Sequence, residues 1–337
     1  MSTAPPQIAT GHGADVQRPS AAHTLVREVP RFALLAALLV TIGVFGALRP
    51  DSFLTIENLK SILTQAAPLM VVAVGLTVVL TMQLLDLSFA AAIGLCGALA
   101  IVLMSQHGVG WELAVLIALA AGAACGLMNG ILVSYFGGNA LIITLATGTI
   151  FTGVEFAVTN QQTIIGGVPL KYGEIATHQT LFGLTNQVYI AAIVAVLGWL
   201  FLAQTEFGRY MHAIGGNQEA ARLSGIRTRE LKVLGFIIVG LGAAVAGILL
   251  TSAASSSTPQ VGAPYLLPAY AAVFLGSAVF RLGQFNMPGT VIGVLFLGVI
   301  QTGLTMLNLD TDVIYIVQGS ILVSAVLLSR IGSGSTA

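Results

Sequence analysis

The chain has 337 residues, 56% of them apolar and only 8% charged, with 13 basic residues balancing 13 acidic ones. Water-soluble domains carry roughly 25% charged residues, so a chain with a third of that cannot solvate its own surface, and its solvent is largely lipid. Zero net charge and three lysines exclude an electrostatic case for nucleic acid, and some ten spans at about 20 residues each leave no room for a large soluble domain.

Residues 1–30 are rich in Pro, Ser, Ala and charge and lack an apolar stretch of signal-peptide length, which reads as a disordered cytoplasmic tail. Residues 31–337 read as one transmembrane domain, with spans expected at 32–48, 59–82, 84–106, 111–136, 139–160, 185–204, 233–255, 265–280, 288–308 and 312–329. Basic residues test the orientation, because loops retained in the cytoplasm keep Lys and Arg. With the N-terminus inside, ten basic residues fall on the cytoplasmic side and three, Arg49, Lys60 and Lys171, fall outside. That split predicts an even number of spans with both termini cytoplasmic. Two loops are long, 161–184 outside and 205–232 inside. Spans two to five and seven to ten then have opposite orientation, which is the topology of an inverted repeat; polar breaks at 83–88 and 281–286 are its sequence echo.

Glycine supplies 39 residues, with Gly122, Gly126 and Gly130 at spacing four and Gly289 and Gly293 repeating it. That spacing makes a smooth helix stripe for close packing. Cys96 and Cys125 sit in apolar runs and read as small core hydrophobes.

No phosphate-binding loop is present, because none of Lys60, Lys171 and Lys232 follows a glycine. The five histidines, His12, His23, His107, His178 and His212, all fall outside the expected spans. Neither intramembrane catalysis nor a metal site is expected, and the chain does not read as an enzyme. Polar residues inside apolar spans call for a reason. Asp86, Asn129, Thr144, Thr147, Glu155 and Gln301 are such positions, each read as lining a solute path or as bonding a neighbouring helix. For Asp86 the choice lies between capping the next span with Ser88 and a role in gating. For Glu155, expected near the outer end of its span, it lies between an interfacial carboxylate and a solute contact.

The loop 205–232 carries a short helix signal: Asn217 can cap its start, Glu219 lies in the first turn where the helix dipole favours an anion, and Gly225 can end it. Ala220, Leu223 and Ile226 give it one apolar face. Such a helix either docks into another protein or lies on the membrane surface.

Here the chain resembles a family. Gly208-Arg209-Tyr210, Ala213-Ile214-Gly215-Gly216-Asn217 and Glu219-Ala220-Ala221-Arg222-Leu223-Ser224-Gly225-Ile226 are similar to the inner-loop motif of permease subunits of ribose- and xylose-type ABC importers. Asn58-Leu59, Gly75-Leu76-Thr77, Asp86-Leu87-Ser88, Gly126-Leu127-Met128-Asn129-Gly130 and Thr144-Leu145-Ala146-Thr147-Gly148 follow in order, and the similarity covers about residues 50–330. The resemblance implies an all-α integral membrane protein of about ten transmembrane helices in a bacterial inner membrane. It implies a dimer with a second permease protomer, a periplasmic or surface solute-binding protein outside, and cytoplasmic ATP-binding subunits that hold ATP and Mg, none of it bound by this chain. Asn217, Glu219, Ala220, Ala221, Arg222, Leu223, Ser224 and Gly225 would then match the helix that couples to the ATPase. The implied solute is a monosaccharide or polyol. Branched-chain amino acids or nucleosides are the alternative, and a self-powered carrier is a more distant one. The chain departs from the family at Gln83-Leu84-Leu85, where two glycines and an isoleucine usually precede Asp-Leu-Ser.

Overall fold

A computed structural model describes residues 21–280, 283–310, 312–314, 316–317, 319–321 and 323–324, with side chains from Leu34 onward. The elements in chain order are α1 (Ala21–Leu48), α2 (Pro50–Phe53), α3 (Ile56–Thr81), α4 (Phe89–Ser105), α5 (Trp111–Ser134) and α6 (Ala140–Thr159). A two-residue strand β1 (Ile164–Ile165), α7 (Leu170–Thr177), α8 (Asn186–Gln204), α9 (Glu206–Gly216) and α10 (Gln218–Leu223) follow. The chain continues through α11 (Thr228–Ala254), β2 (Ser256–Ser257), α12 (Leu266–Ser277) and α13 (Met287–Met306). Six helices, α3, α5, α6, α8, α11 and α13, are long and apolar enough to cross a membrane, and Leu34–Leu48, Phe89–Ser105, Ala263–Ser277 and Asp312–Ile321 are shorter apolar stretches.

Two expectations concern the ends of the chain. Residues 1–20 of the expected tail lie outside the described residues, but α1 begins at Ala21, so 21–30 are helical rather than disordered; Ala21, Ala22, Leu25 and Glu28 are strong helix formers. The last expected span, 312–329, lies partly outside the described residues.

Lipid tails are as apolar as leucine, so helices in a membrane associate through close packing rather than through exclusion of water. The glycine stripe does this between α5 and α11. A Cβ at Gly122 would run into the Gly240 carbonyl, one at Gly126 into the Phe236 carbonyl, and one at Gly130 into Val233. The second pair, Gly289 and Gly293, meets Gly276 and Ala272 and seats α13 on α12. Both stripes are packing surfaces. α11 sits at the centre, against α5, α3 and α4. It runs antiparallel to α3: Gly242 lies beside Val71, Gly75 beside Val239 and Gly235 beside Met82. The hydroxyls of Thr77 and Thr290, 2.7 Å apart, join α3 to α13 inside the bundle.

Two connections interrupt the helical run. After α3 the chain leaves helical geometry over 82–88 before α4 starts. After α11 it turns at Ser255 (φ +48), pairs Ile164 with Ser257 and Ile165 with Ser256, turns again at Gln260 (φ +60), and brings Gly262 against Ala90 and Ile93 at the start of α4. The segment 255–265 therefore re-enters the bundle. α12 beyond it has 12 residues, a rise of about 18 Å against a hydrocarbon core of about 30 Å. Like the 82–88 break, this segment joins a long helix to a shorter one. Hydropathy hides it, since the segment is short and only weakly polar.

Candidate functional site

Four of the six polar residues expected along a solute path meet at the 82–88 break. A chain that has left its helix in lipid must find partners for each freed amide, and side chains supply them here. The Asp86 amide donates to the Tyr270 hydroxyl (3.1 Å), which donates back to the Asp86 carbonyl (2.7 Å). The Leu87 amide donates to Thr144 Oγ1 (3.0 Å), and the Ser88 amide to Asp86 Oδ1 (2.8 Å). The same carboxylate oxygen accepts the Ser88 hydroxyl (2.6 Å). Asn129 Nδ2 donates to Ser88 Oγ (2.6 Å), and Thr147 Oγ1 donates to Asn129 Oδ1 (2.7 Å). Asp86, Ser88, Asn129, Thr144 and Thr147 are all buried. The network thus binds the break to α5, α6 and α12. Of the expected capping arrangement the Asp86 half is present, its carboxylate taking the Ser88 amide just ahead of α4, whereas the Ser88 hydroxyl caps no amide of α4 and is engaged by Asp86 and Asn129 instead.

Glu155 differs from expectation. It is fully buried rather than at a wet interface, because α4 presents Gly94 to it, a position where a Cβ would lie 2.7 Å from either carboxylate oxygen. Its Oε1 accepts the Gln260 amide at 2.9 Å, tying α6 to the re-entrant segment, while Oε2 has no hydrogen-bond partner among the described residues. Gln301 is half-buried in α13, where its carbonyl accepts the Thr305 hydroxyl at 2.8 Å. Tyr270 and Gln260 escaped the sequence reading. A lone tyrosine in an apolar run was the available signal for the first; the second contributes only its backbone.

The loop 205–232 folds as its residues dictate. Thr205 Oγ1 accepts the Gly208 amide (3.2 Å) at the start of α9, and Asn217 Oδ1 accepts the Ala220 amide (3.0 Å) at the start of α10. Gly225, at φ +85, turns the chain out of α10. Glu219 and Arg222 form a two-pronged ion pair, 3.0 and 2.6 Å; that hydrogen bond holds the Glu219 carboxyl below its usual range and the Arg222 guanidinium above its own. Ser224 Oγ donates to the Ala220 carbonyl (2.9 Å). The expected apolar face is rotated. Ala221 points into the bundle at 5% exposure, Ala220 is exposed, and Leu223 stands out at 75%. The reason lies in the short turn to α11: Lys232, buried in its first two turns, donates to Gln218 Oε1 at 2.6 Å and draws that side of α10 inward. Underneath, α9 abuts the end of α3, where a Cβ on Gly215 would strike the Thr81 carbonyl. The exposed helix α10 and the network-bearing break are thus joined through α9.

Comparison with known proteins agrees with this architecture. The family described as Branched-chain amino acid transport system / permease component matches residues 58–326. The ribose import permease protein RbsC of Escherichia coli K12 is 36% identical over 299 residues, 88% of this chain and 92% of that protein. Its namesake in Haemophilus influenzae is 32% identical over 294 residues, 86% and 90% of the two chains. The autoinducer 2 import system permease protein LsrD of Yersinia enterocolitica is 34% identical over 300 residues, 88% and 90%. No solved structure matches. With a family match over most of its length and relatives at this identity across nearly their whole chains, this multi-pass membrane protein belongs to the Branched-chain amino acid transport system / permease component family of ABC importers.

Proposed function

We propose that this chain is the membrane-spanning subunit of an ATP-driven importer of a small hydrophilic solute, a monosaccharide or polyol, moved inward by alternating access. The ribose and autoinducer 2 import permeases among its relatives support the solute class over branched-chain amino acids. In this reading the six long and four shorter apolar stretches are ten spans, arranged as two inverted blocks, α3 to α6 and α11 onward, with both termini in the cytoplasm of a bacterial inner membrane. Cytoplasmic partner subunits bind ATP and Mg. A solute-binding protein delivers from the other side, and a second permease protomer completes the path.

The observation that carries the proposal is α10: a capped helix seated on the bundle through Ala221, with Leu223 exposed at its tip and α9 beneath it packed on the end of α3. An exposed apolar side chain on a rigid, short helix suits a groove on a moving partner. The test is Leu223→Asp in cells that carry the chain with its own partner subunits. Membrane levels should stay at wild type, because Leu223 supports no packing, while co-purification of the ATP-binding subunit and solute uptake fall about tenfold or more. Undiminished uptake would remove the coupling assignment. Ala221→Asp is the wrong probe, since Ala221 is buried among Met82, Met211 and Ile214 and a charge there would break the fold.

A further inference from the structure

A cavity of about 760 Å³ lies at the α9 and α10 end of the bundle, between the ends of α3 and α8, the body of α9 and the connection from α12 to α13. Its walls include Gln83, Trp199, Arg209, His212, Phe280 and Gln284. That set is unusual for a chain with so few polar side chains, and it is separate from the buried network around Asp86. The side-chain amides of Gln83 and Gln284 are exposed at its walls, without a hydrogen-bond partner among the described residues. His212 is oriented by its Nδ1, 2.8 Å from the Gly208 carbonyl. Arg209 lies 3.7 Å from Glu206, so its charge is already countered.

Backbone strain marks the same place. Gln83 sits at φ +60 and Phe280 at φ +64, both left-handed positions that glycine fills at no steric cost. Gln83 ends α3 in a complete Schellman arrangement, its amide on the Leu80 carbonyl and the Leu84 amide on the Val79 carbonyl, where glycine is the usual residue. Non-glycine residues held in that region cluster at functional sites. Here a glutamine occupies that position and lines the cavity.

Free amides supply paired donors and acceptors to adjacent hydroxyls, and an indole offers a flat apolar face to ring C–H groups. The volume falls within the roughly 300–1,000 Å³ of small-molecule sites, and the arginine among its described lining residues is paired with Glu206. We propose that this cavity is a solute-contact site on the α9 and α10 side of the permease, with Gln83 and Gln284 bonding hydroxyls of an uncharged sugar or polyol and Trp199 lying on its C–H face. The assignment rests on the importer reading above.

The decisive variant is Gln83→Gly, which removes the amide while easing the backbone, so that a loss cannot come from misfolding. Gln83→Asn keeps a shorter amide and tolerates the left-handed conformation. Initial uptake of radiolabelled D-ribose, D-xylose, myo-inositol, L-leucine and adenosine is measured in cells carrying the chain and its own partner subunits, with co-purification of the ATP-binding subunit as the check on assembly. Gln83→Gly and Trp199→Ala should lose about tenfold or more of uptake with assembly intact, and Gln83→Asn should retain most of it. Polyol uptake by the wild type with Gln83→Gly unchanged would overturn the cavity assignment and leave the importer reading standing. A wild type that imports leucine or adenosine and none of the polyols would overturn the solute class and the cavity's ligand together.

Discussion

The amides of Asp86, Leu87 and Ser88 lie where α3 has ended and α4 has not begun, and each finds a side-chain oxygen. Tyr270 carries the largest share, because its hydroxyl both accepts from the Asp86 amide and donates to the Asp86 carbonyl. Tyr270→Phe strands two buried backbone groups and should cost about 2–3 kcal/mol. Thr147→Val removes one interhelical donor to Asn129 and should cost about 0.6 kcal/mol, the average for such bonds inside a membrane protein. Thermal unfolding of the purified protein in detergent ranks the two; equal losses would show that the break does not depend on Tyr270. The residues of this network were legible in part. Asp86, Asn129, Thr144 and Thr147 declared themselves as polar side chains in apolar runs, but nothing in their spacing said that they bond to one another. Tyr270 lies 184 residues from Asp86, so the pairing exists only once the helices have packed. Glu155 was legible as a carboxylate in a span and not as a buried one, because its burial depends on the missing side chain of Gly94 on another helix.

At the scale of elements the long helices were the easiest to read, since hydropathy over about 20 residues reports solvent directly. The connection 255–265 was not, because a re-entrant segment owes its depth to what it packs against, here Ala90 and Ile93, and not to its own composition. The glycine stripe was read correctly as a packing surface, and the contacts make that reading quantitative. Gly126 of α5 has no room for a Cβ against the Phe236 carbonyl of α11, whereas Gly153 of α6 has nothing within 4 Å of where one would lie. Gly126→Ala should therefore push α5 off α11 and cost about 1–3 kcal/mol. Gly153→Ala should be neutral or gain up to about 1 kcal/mol, as alanine relieves the entropy lost by a helical glycine. Melting temperatures of the two variants decide the matter, and a tolerated Gly126→Ala would mean that the two helices are not locked at that crossing.

For the molecule as a whole, the two interrupted connections start from opposite ends of the bundle, since α3 and α11 run antiparallel, and approach each other where Gly262 lies against Ala90. One carries the Asp86 network and adjoins α9; the other takes the Glu155 carboxylate and is pinned by the β1 and β2 pair. The bundle thus carries two irregular segments stitched to their neighbours by side-chain hydrogen bonds, one following α3 and one following α11. The arrangement has a sidedness that can be measured. If the basic residues set orientation, Leu170 at the start of α7 faces outward and Leu223 on α10 faces the cytoplasm; both are well exposed, at 89% and 75%. The two native cysteines, Cys96 and Cys125, are buried and free, so they stay silent toward a bulky, membrane-impermeant maleimide. In intact spheroplasts Leu170→Cys should label at once, and Leu223→Cys only after the membrane is permeabilised. The opposite pattern would turn the molecule over and take α10 away from any cytoplasmic ATPase. Labelling of both from outside would require an even number of crossings between α7 and α10, where α8 alone supplies one, and the two-block arrangement would fall with it.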